Sequence, residues 1–125
     1  MKLLEDKIIA ISRDPISENV IRLNESTRQF LICQAAMEVT RSVLKDPSSI
    51  PSHFKVTGAA TVRRMVQAGL GVGIQSALLV EPEKQLFLRY PVEPEIRTDV
   101  VMIAKNFQDL SPAAEKFVAL IRSLD

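Results

Sequence analysis

The sequence predicts an α/β fold: three layers, with a mostly parallel sheet flanked by helices. Three observations carry this. Lys7-Ile8-Ile9-Ala10-Ile11-Ser12 is an unbroken apolar run that stops at Arg13-Asp14-Pro15, as a strand covered on both faces should. Strand-like and helix-like stretches then alternate along the chain, the mark of crossover connections. Finally, the helical stretches carry their own punctuation, Ala68-Gly69 at one end and Ser111-Pro112 at another.

Taken in order, residues 7–12 form the first strand, and 13–25 are polar and irregular. Ser26 opens a helix over 26–44, with Phe30, Cys33, Met37 and Leu44 at helical spacing. Asp46-Pro47 and Pro51 end it, because proline cannot continue a helix. His53 to Thr57 alternates and reads as a strand. Gly58 to Gln67 follows as a helix with Val62, Met65 and Val66 on its apolar face, and Gly69 tolerates the left-handed backbone of a helix stop. Leu70 to Gln75 is a third strand and Ser76 to Val80 one helical turn. Strands over 85–90 and 97–104 are separated by Pro91 and Pro94. The last helix, 111–124, has Ser111 as N-cap, Pro112 at its first position and Glu115 in its first turn.

Composition limits what such a fold could do. The 125 residues suit one domain, and 46% hydrophobic with 25% charged residues suits a packed core. Sixteen Lys and Arg face fifteen Asp and Glu, divided as seven and seven in residues 1–50 and nine and eight in 51–125. Neither half is a basic arm, so the chain lacks the clustered cations needed to hold duplex DNA by itself. A single cysteine excludes an internal disulfide and a cysteine-based zinc site. No apolar run approaches a membrane span and Met1–Leu4 shows no signal-peptide core, so a cytoplasmic location is expected, with no membrane partner.

Catalytic groups are few. Cys33 and His53 are the lone cysteine and histidine and fall on different elements, Cys33 on an apolar face where it reads as a small buried hydrophobe. No metalloprotease, Walker-type or nucleophile-elbow motif is present, so neither enzyme activity, metal nor cofactor is expected. Gly69-Leu70-Gly71-Val72-Gly73 imitates a phosphate loop, but it follows a helix and opens a strand, the reverse of what anion binding needs. Thr61 to Val80 imitates a helix–turn–helix, yet its second helix would hold two glycines and no cation.

A better anion site lies where strand 53–57 runs through Thr57-Gly58 into a helix. Unpaired N–H groups, the Thr57 and Thr61 hydroxyls and the positive dipole end would meet there at the sheet rim. In a parallel sheet Ser12 and Arg13 would reach the same rim, and Arg13 could grip a carboxylate in bidentate fashion. The plain alternative is a capping threonine and a solvated turn arginine.

The run Thr57-Gly58-Ala59-Ala60-Thr61-Val62-Arg63-Arg64-Met65-Val66-Gln67-Ala68-Gly69-Leu70-Gly71-Val72-Gly73-Ile74 resembles the effector-binding domain of LysR-type transcriptional regulators. Residues 97–105 and Leu110-Ser111-Pro112-Ala113-Ala114-Glu115-Lys116-Phe117 resemble the way those domains close, and Ile8 to Ser12 the strand that opens their second lobe. The resemblance implies one lobe of a type-2 periplasmic-binding-protein-like fold, over about residues 7–104, with a C-terminal helix at about 111–124. It implies a non-enzymatic sensor whose small, anionic effector, a carboxylate for instance, contacts Thr57 first and Gly58 second. It also implies a homodimer through helix 26–44 and strand 53–57, and DNA binding only through a winged-helix domain that this chain does not contain. Gln75 and Ser76 depart from the proline that commonly follows the glycine-containing strand. Two rivals stand beside this reading: a solute- or amino-acid-binding fragment without a DNA partner, and a small enzyme using Cys33 or His53.

Overall fold

The structure is a computed structural model, and it describes residues 1–25, 28–44 and 52–124, apart from the side chains of 52–55. The chain divides into two compact units, Asp6–Thr98, and Met1–Glu5 together with Asp99–Asp125.

The strands are β1 (Lys2–Ser12), β2 (Ile21–Arg22), β3 (Phe30–Cys33), β4 (Ser52–Val56), β5 (Val72–Ser76), β6 (Leu88–Glu93) and β7 (Arg97–Val101). The helices are α1 (Gln34–Val43), α2 (Ala59–Gln67), the short α3 (Ala77–Val80) and α4 (Pro112–Arg122), with a 3₁₀ helix at Glu81–Leu86. The sheet runs in the order β2-β6-β1-β5-β3-β4, and β7 also pairs with β1.

The pairing is mixed. β3 runs parallel to β4 and β5, and β2 parallel to β6. β1 is antiparallel to both of its central neighbours, with Ile8 opposite Ser76 and Ile11 opposite Gly73 in β5, and Ile9 opposite Pro91 in β6. This corrects the expectation that Ser12 and Arg13 share a rim with Thr57. The C-terminal end of β1 meets the N-terminal end of β5, so Ser12 and Arg13 emerge at the opposite rim.

The first helix also differs from expectation. Phe30-Leu31-Ile32-Cys33 is strand β3, buried at every position, and α1 starts only at Gln34. A four-residue apolar run flanked by β4 and β5 fills the centre of a sheet covered on both faces, and that burial outweighs the helical spacing of Phe30 and Cys33. Ser26, the expected cap, and the expected stop at 46–51 lie outside the described residues.

Other boundaries moved less. β1 extends back to Lys2, the irregular stretch contains β2, β5 and β6 each end later than expected, and β7 stops at Val101. Residues 81–86, partly expected as strand, form the 3₁₀ helix that Pro82 starts. α4 is as read, with the Ser111 hydroxyl accepting from the Ala114 N–H at 3.2 Å.

From β3 the chain steps outward to β4 by way of α1, then back across β3 to β5 by way of α2. Right-handed crossovers in opposite directions place the two helices on opposite faces of the sheet. Phe30, Leu31, Ile32, Ile11 and Ile74 are buried between those layers, together with Val62 and Val66 of α2. Gly73 lets α2 approach this closely, because a Cβ there would lie 2.8 Å from Val66 Cγ2. The described residues that follow β1 are held from two sides. Tyr90 Oη accepts the Ile16 N–H at 3.2 Å, and Arg28 grips both Glu18 oxygens at 2.9 Å. That guanidinium keeps the Glu18 carboxyl below its usual pKa range.

In the other unit, Met1 and Met102 exchange two backbone bonds of 2.7 and 2.9 Å, and α4 buries Val118. Among the described residues no helix is long and apolar enough to cross a membrane.

Candidate functional site

β3 and β4 run parallel and each feeds directly into a helix, so the N-termini of α1 and α2 open at one rim of the sheet. Cys33 caps α1 and Gly58 caps α2, both with extended backbone. Neither cap makes a side-chain hydrogen bond, and neither first turn contains an acidic residue. The first-turn N–H groups, among them those of Ala35, Ala36, Ala59 and Ala60, therefore form the positive end of each helix dipole and have no side-chain acceptor among the described residues.

The two helix starts contribute to a cavity of about 140 Å³ whose wall includes Cys33, Ala35, Ala36 and Ala59. β5 contributes Gln75, 1% exposed, and Ser76. Gln75 lies on the α2 face of the sheet, where its Nε2 donates to the Ala59 carbonyl at 2.6 Å. Its Oε1 accepts from Arg63 Nη1 at 3.3 Å. Arg63 Nε in turn lies 3.5 Å from Glu83 Oε2. A buried amide thus fixes the first turn of α2 against β5, which is how a polar residue can stand in a buried strand. Asp6 closes another side. Its Oδ1 accepts the Lys7 N–H at 2.7 Å and the Leu78 N–H at 3.2 Å, and Oδ2 accepts the Ser76 hydroxyl. Ser76 caps α3 by accepting the Leu79 N–H at 3.4 Å, so the turn forms without proline.

The structure separates the residues singled out in the sequence. Gly58 and Thr61 belong to the α2 start, with Thr61 exposed in its first turn. Thr57 is exposed and lines a second hollow of about 370 Å³, between β4 and α1, with Gln34, Met37, Glu38 and Arg41. Ser12 is 4% exposed and donates to the Asp14 carbonyl at 2.7 Å. Arg13 pairs with Asp14 at 3.0 Å, and its guanidinium covers Gly69 at the C-terminal end of α2. There the helix dipole attracts a cation. Both are thus engaged in local structure, away from the α1 and α2 starts. The His53 side chain lies outside the described residues. Cys33 is buried, yet it also lines the cavity.

The sequence alone does not mark Asp6, Ala35, Gln75 or Ser76 as ligand contacts. Gln75 carries the one available signal, a polar residue inside an apolar strand. Among the described residues no group of three or more His, Cys, Asp and Glu could hold a metal.

Comparison with known proteins places the chain in a family of regulators. The family model for the LysR substrate binding domain matches residues 17–125. The chain belongs to that family. Its members are regulatory domains of transcription factors rather than enzymes, and LysR-type regulators bind small-molecule effectors, and DNA through a separate domain.

Among relatives, the chain is 24% identical over 128 residues to YoaU, an uncharacterised HTH-type transcriptional regulator of Bacillus subtilis strain 168. That match takes in 98% of this chain and 44% of YoaU, so the chain spans less than half of its relative. Solved structures share the fold. The reduced form of OxyR superposes with a TM-score of 0.69 at 19% identity, over 98% of this chain and 62% of that one. The CcmR regulatory domain of Synechocystis PCC6803, in complex with 2-PG, gives 0.71 at 13%, over 99% and 65%. The QuiR effector-binding domain, in complex with shikimate, gives 0.70 at 10%, over 97% and 62%. The mixed sheet with helices is therefore that of LysR regulatory domains, which have the periplasmic-binding-protein-like fold.

Proposed function

We propose that this chain is the effector-sensing part of a LysR-type regulator and takes a small carboxylate-bearing molecule where α1 and α2 begin. The observation that carries the reading is the convergence of two helix starts, neither capped by a side chain, on one cavity walled by a buried amide. Backbone N–H groups aimed by two dipoles suit an anion, and the Gly58 and Thr61 turn supplies half of them. Thr57 would meet a ligand only at the margin, since its side chain faces the neighbouring hollow. The ligands of CcmR and QuiR, 2-PG and shikimate, support a small-molecule effector. In this reading the protein works in the cytoplasm as a homodimer through α1 and β4, and effector occupancy is passed to DNA by a winged-helix domain of the parent polypeptide. Family membership favours this over a solute-binding fragment with no DNA partner.

Thermal denaturation with shikimate, 2-PG and simple carboxylates tests it, using Ala35→Asp. Ala35 is exposed at the second position of α1 and lines the cavity. A carboxylate there answers the dipole from within, so the variant should be at least as stable as the wild type when free. A ligand at 100 times its Kd should stabilise the wild type by about 2.7 kcal/mol and leave Ala35→Asp unmoved. Equal responses in both proteins would reject the site.

A further inference from the structure

Two electrically distinct features share the cavity wall. One is the pair of α1 and α2 starts. The other is Asp6, the sole charged side chain on that wall. Among the described residues Asp6 makes no ion pair: its partners are two backbone N–H groups and the Ser76 hydroxyl, all neutral. A carboxylate oxygen offers about two acceptor sites, so Oδ2 retains capacity beyond the Ser76 bond. A simple anion entering here would gain the helix dipoles but share the cavity with a carboxylate. A ligand that also carries a cationic group would gain from both features.

We infer that the effector is a zwitterion, a small amino-carboxylate with its carboxylate at the helix starts and its ammonium against Asp6. This rests on the proposed anion-binding role of those helix starts and adds the class of molecule they accept. Asp6 is then the residue that selects for an amine.

Isothermal titration of the full chain with L-alanine, L-serine, L-leucine and L-phenylalanine, each beside its matched 2-hydroxy acid, tests the inference. At least one amino acid should bind about tenfold or more tighter than its hydroxy counterpart. In Asp6→Asn, whose amide oxygen can still accept the Leu78 N–H, that preference should collapse. If hydroxy acids bind as well as amino acids to the wild type, the zwitterion is wrong while the carboxylate site stands. If the preference survives in Asp6→Asn, Asp6 is not what selects the ammonium and the inference fails while the carboxylate site stands. Asp6 then serves only to hold the Leu78 N–H and the Ser76 hydroxyl at the start of α3. If no acid of either series binds, the inference and the site fall together. Should Asp6→Asn fail to fold, the wild-type pairs still decide.

Discussion

Gly69 shows how one residue can end a helix and seat a side chain from elsewhere. Its φ of +78° is one that a Cβ opposes, and a Cβ there would lie 2.5 Å from the Arg13 guanidinium carbon. Gly69→Ala should therefore cost about 1–2 kcal/mol, read as a lower urea midpoint at unchanged slope. Removing the guanidinium with Arg13→Ala should recover the steric part and leave the conformational part, so the double variant should be more stable than the two single effects predict. Full additivity would show that Arg13 does not press on Gly69. The glycine stop was legible in Ala68-Gly69 because left-handed backbone is a local requirement. Arg13's place over it was not, since it depends on the direction in which β1 is paired. Gln75 was hard to read for a related reason: its hydrogen-bond partners are sixteen and twelve residues away in sequence.

At the scale of elements, the Thr57-Gly58 junction was readable because an alternating strand runs straight into helix-forming sequence. Strand β3 was not. Phe30 to Cys33 fits either period over so short a span, and only its neighbours β4 and β5 decide the matter. The antiparallel course of β1 was equally hidden, because a strand's own residues do not record its partners' direction. The proposed dimer is an element-scale claim resting on α1 and β4. β4 stands at the edge of the sheet, and α1 leaves Val43 44% exposed beside it in sequence order. An edge strand and an apolar helix position are what self-association would cover. Val43→Asp should raise the dimer dissociation constant about tenfold or more in sedimentation equilibrium. A wild type that is monomeric at all concentrations, or a variant that dimerises equally well, would remove α1 from the interface.

For the whole molecule, the proposed sensing requires that a guest be recognised at one rim of the sheet while the opposite rim keeps its structural duties. That division follows from topology: β3, β4 and β5 point one way and β1 the other. The most direct measurement is amide chemical-shift mapping of the full chain, titrated with whichever tested acid gives the largest thermal shift. The amides of Ala35, Ala36, Ala59, Ala60 and Thr61 should move first and furthest, and those of Arg13, Asp14 and Gly69 to Val72 should stay in place. Movement centred on that second group, or no movement at the α1 and α2 starts, would contradict the account.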